Sequence, residues 1–379
     1  MRHVYLDWNA TTPPLPEILE AMRDAAMTTW ANPASVHRPG QRARAELDRA
    51  RRAVAELVGF HPRDVLLTGG GTEANNLALR SVEGPLYLSR LEHPSVVRVA
   101  ERLREEGRAI HWIDVRSDGR LDADHLAGLL VDTSPGGGLV CVQAVNHETG
   151  VLQPVALAAD LAHRAGALLH CDAVQAVGRL GADSWSGADS VTVAAHKLRG
   201  PKGIGALVTR PGLTLRAVLR GGDQERGLRP GTQDASLAVG LRCAAERALD
   251  GHERYGRLEP LRDRFEAAAT ALGVRFGVQV LRNGEASRAP HVSNLSFLGW
   301  RSPELAAALD LEGVAVSSGA ACSAGTAAPS PVVGAMTGAG RADTAVRFSF
   351  GEETTEAEVA SALGALERIF ERRSLLEST

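Results

Sequence analysis

The chain has 379 residues, of which 44% are hydrophobic and 23% are charged, the proportions of an ordinary globular protein. This length allows one large domain and a smaller one. The formal net charge of −3 and the 4% aromatic content argue against nucleic acid or an anionic membrane as the main partner.

The four cysteines show neither a C-x-x-C pair nor the density of a disulfide framework, so we predict no metal site; they stand at positions 141, 171, 243 and 322. The first residues, MRHVYLDWNATTPP, lack the pattern of a signal peptide. No apolar run approaches the roughly 20 residues needed to span a bilayer. We therefore predict a reduced, cytoplasmic protein.

Short apolar runs alternate with helical periodicity through the first part of the chain. Residues 64–82, DVLLTGGGTEANNLALRSV, predict a strand, a glycine turn and a helix. We predict further buried strands at 85–89, 138–145, 166–172 and 189–196, and helices at 39–60, 93–107 and 155–166. This alternation predicts an α/β fold, with a mostly parallel sheet covered by helices on both faces.

The pattern changes towards the C-terminus. Residues 234–272 predict a long helical stretch, broken near Gly251 and Gly256, and the short apolar runs and charged helix that follow indicate a smaller α+β domain. We predict a large domain over 14–255, and a small domain formed by 1–13 and 256–379.

The lysines are concentrated in one place. Of the 42 basic residues only two are lysines, and both lie in HKLRGPKG, at Lys197 and Lys202. Arginine stays protonated, whereas a desolvated lysine amine can lose its proton and attack a carbonyl. This stretch is therefore a candidate for a lysine that forms a Schiff base.

Two further features describe the remaining parts of one ligand site. The glycine turn TGGGTEANN (68–76) exposes backbone N–H groups where phosphate can bind, although a plain tight turn is an equal alternative. Asp172 ends an apolar run 25 residues before Lys197 and faces a ligand crevice or only caps the next turn. A phosphate turn, a carboxylate for the pyridine nitrogen and an amine for the aldehyde are what pyridoxal phosphate requires.

Four other side chains have both a functional and an ordinary explanation. His93, in LEHPSV, could stack on the cofactor ring and move protons, or simply cap a helix. Arg347, in AVRFSFG, could hold a substrate carboxylate or form a salt bridge. Arg229 and Thr232 lie in the polar loop GGDQERGLRPGT, from which they could reach an anion.

The stretch SSGAACSAG (317–325) places Cys322 among small residues. Alone, it favours an incidental or core cysteine. Beside a predicted pyridoxal phosphate site, it is typical of a mobile arm that carries a reactive thiol.

The chain resembles the NifS/IscS-like cysteine desulfurases, which belong to the class V aminotransferase fold of pyridoxal-phosphate enzymes. The resemblance runs in order over nearly the whole chain, through YLDWNATTP, NPASVHRPGQ, TGGGTEANNLAL, EHPSV, VNHETGVLQP, HCDAVQAVG, HKLRGPKGIGAL, GGDQERGLRPGT, VSSGAACSAG and VRFSFG. It implies the aspartate aminotransferase-like architecture (fold type I) with a mostly parallel seven-stranded sheet. It also implies a homodimer with the active site at the interface.

The resemblance implies a role for each candidate residue. Lys197 bonds the cofactor aldehyde, His93 stacks on the ring and shuttles protons, and Cys322 accepts the sulfur. The remaining cofactor contacts are implied for Gly71, Thr72, His147, Asp172, Gln175, His196 and, from the neighbouring subunit, Thr232. Substrate contacts are implied for Arg347, and we expect them also for Asn146, His147 and Arg229.

Three positions depart from the family pattern. His147 stands where the family usually has a ligand-contacting asparagine, and an imidazole could replace the amide. Ala194 stands where a phosphate-binding serine is common, so that hydrogen bond is missing or comes from elsewhere, for example Thr192. Trp8 replaces an asparagine in YLDWNATTP.

The activity implied by the resemblance is removal of sulfur from L-cysteine, which gives L-alanine and a persulfide on Cys322. His93 is the candidate base for the thiol. The sulfur would pass to an acceptor protein, such as an iron–sulfur scaffold or a relay for tRNA thiolation, or simply to reducing thiols. The alternatives are a selenocysteine lyase, another class V enzyme, or a non-catalytic scaffold that keeps the fold.

Overall fold

The structure, a computed structural model, describes residues 3–131, 137–319 and 329–377. Its strands are β1 Val4–Tyr5, β2 Val65–Thr68, β3 Leu86–Ser89, β4 Ile110–Ile113, β5 Leu139–Cys141, β6 Leu168–Asp172, β7 Ser190–Ala194, β8 Gly205–Thr209, β9 Val280–Arg282, β10 Val292–Phe297, β11 Val314–Ala315 and β12 Ala345–Ser349.

The helices alternate with the strands in the first part of the chain and dominate the rest. They are α1 Pro16–Thr28, α2 Arg38–Val58, α3 Gly71–Ser81, α4 Pro94–Glu105, α5 Ala123–Val131, α6 Val155–Arg164, α7 Ala235–Ala248, α8 Gly251–Gly256, α9 Glu259–Arg275, α10 Ser302–Leu311, α11 Pro331–Thr337, α12 Ala339–Ala342 and α13 Glu356–Glu377. None of the helices in the described ranges combines the length and the apolar character that a membrane crossing requires.

A seven-stranded sheet forms the centre of the larger part, with the strand order β2-β8-β7-β6-β5-β3-β4. The strands from β7 to β4 run parallel, and β8 runs antiparallel to both of its neighbours. The predicted α/β class and the mostly parallel seven-stranded sheet are confirmed. Because parallel strands end at one edge, the residues that follow β2, β3, β5, β6 and β7 converge there.

Apolar clusters cover both faces of this sheet. One contains Val140, Leu169 and Val191 with residues of α2, α6 and α7, and the other contains Leu66, Leu88 and Leu139 with residues of α3 and α4. Nearly every strand residue of the sheet is buried, which explains why the strands appear as continuous apolar runs rather than alternating ones.

The C-terminal part has its own small sheets and core. An antiparallel sheet has the order β12-β10-β9, and β1 pairs in parallel with β11. Phenylalanines fill the core around it: Phe265, Phe297, Phe348, Phe350 and Phe370. The predicted helical stretch 234–272 is divided into α7, α8 and α9, and the glycines where we predicted breaks begin and end α8. The domain boundaries at 13 and 255 stay a prediction.

Candidate active site

A cavity of about 250 Å³ opens at the edge where the parallel strands end. Eight of the predicted site residues line it: Gly71, Thr72, His93, His147, Asp172, Gln175, His196 and Lys197. They come from five separate connections of the sheet, so the fold brings them together although the chain separates them. Their shared surroundings make this cavity the candidate active site.

The glycine turn ends β2 and begins α3 at one end of the cavity. Gly70 caps α3 with φ 142°, a backbone conformation that favours glycine, and it has no side chain to bind the first N–H groups of the helix. A Cβ on Gly71 would lie 3.0 Å from Val174. The uncapped N–H groups of an 11-residue helix therefore face a cavity that can take an anion.

Asp172 ends β6, and a buried hydrogen-bond network holds its carboxylate. Asn75 Nδ2 donates to Asp172 Oδ2 over 2.7 Å and the Val174 N–H donates to Oδ1 over 3.1 Å. Asn75 Oδ1 accepts from His170 Nε2 over 3.0 Å and from Thr192 Oγ1 over 2.7 Å. The carboxylate is thus oriented by an amide whose own lone pairs are fully used.

Lys197 follows β7 in a short 3-10 turn, Ala195–Lys197. Its Nζ donates to the backbone carbonyls of Asn9 and, over 2.9 Å, of Ala10. The N-terminal segment therefore closes the cavity beside the amine.

His93 precedes α4 and caps it. Its Nδ1 accepts from the Ser95 N–H over 3.1 Å and lies 2.7 Å from Ser95 Oγ. Because Nδ1 acts as an acceptor, the neutral ring carries its proton at Nε2. Burial lowers the pKa of His93, and the charge of Lys197 lowers it further, although Asp172 acts in the opposite direction. The ring is therefore uncharged near neutral pH and is a hydrogen-bond donor at Nε2.

His147 lies against His93, with the ring centroids 5.2 Å apart and the planes at 75°. Gln143 Nε2 donates to the Leu91 carbonyl, so Gln143 Oε1 is free to accept from His147 Nδ1 at 3.3 Å. Burial lowers the pKa of His147 well below its ordinary value, and a proton on His93 and the charges of Arg347 and Lys197 act in the same direction. His147 is therefore a neutral imidazole that lines the cavity.

Gln175 and His196 both line the cavity, and both also bond to the protein. Gln175 Oε1 accepts from Arg179 over 2.5 Å, and Nε2 donates to the Asn9 carbonyl over 3.0 Å. His196 Nδ1 lies 3.2 Å from Thr11 Oγ1. Burial lowers the pKa of His196 to about 4, with a contribution from the charge of Lys197. One N–H of Gln175 stays available to a ligand.

Arg347 does not line the cavity, but it contacts His147, which does. The side chain is buried on β12, and Nη2 forms an ion pair with Asp7 over 2.6 Å. Nη1 donates to the His147 carbonyl over 2.8 Å, and Nε has no hydrogen-bond partner among the described residues. A substrate carboxylate would therefore meet an arginine that already has one acidic partner.

Asn146, Arg229 and Thr232 are not among the residues that line the cavity. Asn146 Oδ1 accepts from both N–H groups and the hydroxyl of the following Glu148–Thr149 turn, and Nδ2 donates to the Leu91 carbonyl. Arg229 pairs with Glu73 over 2.9 Å at the start of α3, towards the anion-binding end. Thr232 is exposed. The substrate roles of Asn146 and Arg229 and the intersubunit role of Thr232 stay predictions.

Cys322 lies outside the described residues, so its predicted role rests on the sequence. The three described cysteines are poor nucleophiles. Cys141 and Cys171 are buried, and burial raises the pKa of both thiols, while half-burial also raises the pKa of Cys243.

The structure also tests two of the departures from the family pattern. Thr192 cannot replace a phosphate-binding serine as we suggested, because it is fully buried and its hydroxyl proton goes to Asn75. Ala194 does line the cavity, without a hydroxyl. Trp8 is buried: Nε1 donates to the Tyr5 carbonyl over 3.0 Å, and the ring packs on Gly351.

Sequence reasoning missed several residues that support the site: Asn9, Asn75, Ser95, Gln143 and Arg179. All of them lie in or beside stretches that were recognised. Asn75 has its main partner far away in the chain, since Asp172 lies 97 positions from it, and no recognised motif marks the nearer pairs, such as Ser95 with His93. What the five residues share is that each is a buried polar or charged side chain.

Comparison with known proteins gives one consistent result. The aminotransferase class-V family matches residues 4–361. A cysteine desulfurase of Cereibacter sphaeroides is 40% identical, with 98% of this chain and 97% of that protein covered. The cysteine desulfurase NifS of Azotobacter vinelandii is 38% identical, with 95% and 90% covered.

A solved structure of a NifS-like protein shares the fold over 97% of this chain and 99% of that one, with a TM-score of 0.88 and 29% identity. Family, sequence relatives and fold therefore agree over almost the whole length. The chain belongs to the class V aminotransferase family, in its branch of NifS/IscS-like cysteine desulfurases.

Proposed function

We propose that this chain is a cysteine desulfurase that uses pyridoxal phosphate, takes sulfur from L-cysteine and releases L-alanine. One observation carries the proposal: Lys197, the Asp172 carboxylate and the uncapped start of α3 meet at a single cavity. The similarity to cysteine desulfurases over nearly the whole length supports the same activity.

The groups that line the cavity fit pyridoxal phosphate. The N–H groups at Gly71 and Thr72 suit the phosphate, since no side chain caps that helix. The Asp172 carboxylate suits a protonated pyridine nitrogen, and the Lys197 amine suits the aldehyde. His93 and His147 are neutral rings that suit contact with a planar aromatic ligand.

When bound, pyridoxal phosphate supplies an electron sink that makes the bonds around the substrate carbon easier to break. Lys197 then accepts the proton from that carbon at Nζ, which the carbonyls of Asn9 and Ala10 hold in place. His93 donates a hydrogen bond from Nε2 to a developing anion. Its use as a base for the thiol stays a prediction, because Nδ1 is already bonded to Ser95. Arg347 would hold the substrate carboxylate beside Asp7.

The sulfur step belongs to Cys322. Its thiolate attacks the sulfur of the substrate, an S–S bond forms and the C–S bond breaks. The electron pair of that bond and a proton go to the β-carbon of the substrate, which carried the sulfur. L-Cysteine and a thiol thus become L-alanine and a persulfide. Exclusion supports the choice of Cys322, since the other cysteines are buried or half-buried with raised pKa values.

The same proposal covers the assembly. We propose a cytoplasmic homodimer in which Thr232 of one subunit completes the phosphate site of the other. A sulfur acceptor protein, in iron–sulfur cluster assembly or tRNA thiolation, would take the persulfide. Support comes from the exposure of Thr232 and from the pairing of Arg229 at the anion-binding end of the cavity.

The first test separates Cys322 from the other cysteines. We expect Cys322→Ser to stop the formation of alanine and sulfide from L-cysteine, while the visible absorption of the bound cofactor is kept. Cys243→Ser is the matched control, since it removes a half-buried thiol away from the cavity and should keep full activity. Full activity of Cys322→Ser would show that the sulfur step is wrong.

A second test uses the two lysines. We expect Lys197→Ala to lose both the activity and the visible absorption of the lysine-bound cofactor. Lys202→Ala removes an exposed lysine of the same motif and should keep both. A normal cofactor spectrum in Lys197→Ala would refute the assignment of the lysine.

A further inference from the structure

Arg179 is a buried arginine that contacts residues of the candidate active site. It is 1% exposed, its hydrogen-bond acceptors are amide and carbonyl oxygens and one imidazole nitrogen rather than a carboxylate, and the centroid of the Tyr255 ring lies 5.4 Å from its guanidinium carbon. Within the described part of the chain it forms no ion pair. Glu352, whose charge also acts on Arg179, is already engaged by Arg199, Arg247 and Arg254. A buried cation without a paired anion is costly, so its position calls for a reason.

The hydrogen bonds of Arg179 join three elements of the site. Nη1 donates to Gln175 Oε1 over 2.5 Å and to Asn9 Oδ1 over 3.0 Å. Nη2 donates to the Lys197 carbonyl over 3.2 Å and to the Trp8 carbonyl over 3.4 Å. One planar guanidinium therefore fixes the N-terminal segment, the turn that ends in Lys197 and a cavity-lining amide relative to each other.

Asn9 connects Arg179 to the Lys197 amine. It is 1% exposed, and its side-chain oxygen binds Arg179 while its backbone carbonyl binds Lys197 Nζ. The same carbonyl accepts from Gln175 Nε2 over 3.0 Å. The guanidinium and the amine thus bind the same residue, which places a permanent positive charge near Nζ.

We propose that Arg179 is the positioning residue of the Lys197 amine, which it holds through Asn9 and the Lys197 carbonyl. Its buried positive charge disfavours a second positive charge at Nζ and so favours the deprotonated amine, which is the reactive form. The same charge favours an anionic ligand in the cavity. The inference rests on the proposed function, in which the Lys197 amine is the group that bonds the cofactor.

Other charged groups act on the same amine and must be held constant. The carboxylate of Asp172 opposes the effect of Arg179, and Arg347 and any protonated imidazole add to it. Among the described residues, the titratable or charged groups of this region include Asp172, His93, His147, His196, Arg347 and Lys202. A variant that changes only Arg179 leaves all of these in place.

The experiment measures the reactivity of the amine rather than turnover. The full chain, freed of cofactor, is labelled with acetic anhydride over a range of pH, and the two lysines are followed by mass spectrometry. Lys202 is exposed and serves as the internal standard. We expect Arg179→Gln to move the pH midpoint of Lys197 labelling up by about one unit, while Lys202 is unchanged. Arg179→Lys keeps the charge and should leave the midpoint near that of the parent.

Two controls separate positioning from general damage. Arg262→Gln removes another buried arginine, which donates to the Ala289 carbonyl over 2.8 Å, and should not move the Lys197 midpoint. Arg179→Met removes the charge and puts an apolar side chain in the buried space, so it should raise the midpoint even where Arg179→Gln does not fold. An unchanged midpoint in Arg179→Gln, or in Arg179→Met when the first variant is unfolded, would overturn the proposal.

The holoenzyme gives an independent reading. We expect the pH at which the visible band of the bound cofactor changes to rise in Arg179→Gln, and the affinity for pyridoxal phosphate to fall about tenfold. Both should be close to the parent in Arg179→Lys. A parent chain that binds no pyridoxal phosphate would refute the proposed function, whereas the labelling result would still decide the role of Arg179.

Discussion

The amide of Asn75 offers a sharp test of how the site is held. Its Nδ2 donates to Asp172 and, over 2.8 Å, to Ser95, and its Oδ1 accepts from His170 and Thr192. Asn75→Ala removes all four hydrogen bonds from a site that is 1% exposed. Ser95 keeps its contact with His93, so three buried polar groups lose this partner.

The cost follows from those three groups. An unsatisfied buried polar group costs about 1–3 kcal/mol, and water that enters the space left by the amide recovers part of it. We therefore expect Asn75→Ala to lower the free energy of unfolding by about 3 kcal/mol and the melting temperature by about 4 °C or more. The affinity for pyridoxal phosphate should fall as well, because the Asp172 carboxylate loses the donor that orients it.

The chain provides the control one residue away. Asn76 lies on the same helix, and its Nδ2 donates to the Thr72 carbonyl in an exposed position. Asn76→Ala makes the same chemical change without orphaning a buried group, so it should alter the unfolding free energy by less than about 0.5 kcal/mol. Differential scanning fluorimetry and urea unfolding of both variants measure the difference. Equal stability of the two would refute the reasoning.

Two further predictions concern the surroundings of the site. Burial lowers the pKa of His170 from its ordinary value of 6.5 to about 4, so the unfolded chain takes up a proton between these pH values before the folded chain does. The stabilisation from neutral His170 is complete above pH 6.5, and about 2 kcal/mol of it is lost at pH 5. In urea unfolding, the difference in unfolding free energy between the parent and His170→Gln should therefore shrink by this amount as the pH falls. A difference that stays constant with pH would contradict this. A Cβ on Gly351 would overlap the Trp8 indole, so Gly351→Ala should cost about 2 kcal/mol or more, whereas Gly181→Ala, which meets no atom within 4 Å, should be close to neutral in thermal unfolding.

Local sequence was a good guide to the elements themselves. The run at 189–196 contains β7, the helix predicted at 39–60 is α2, and the two glycines at 251 and 256 bound α8. These features depend on apolar periodicity and on turn residues, which act over a few positions. The run at 138–145 was misleading in length, because β5 covers only Leu139–Cys141 and the rest is buried without being a strand.

The sequence by itself determined the α/β class, and it predicted the lysine, the turn for phosphate and the acid, since each of these is marked by a local pattern. Only the tertiary structure decided what holds them. It assigned the Thr192 hydroxyl to Asn75 rather than to a ligand, and gave Arg347 the partner Asp7, 340 positions away. It also placed the Arg179 guanidinium against the backbone carbonyl of Lys197. Such pairings depend on which strand ends meet at one edge of a sheet, and no short-range pattern carries that information.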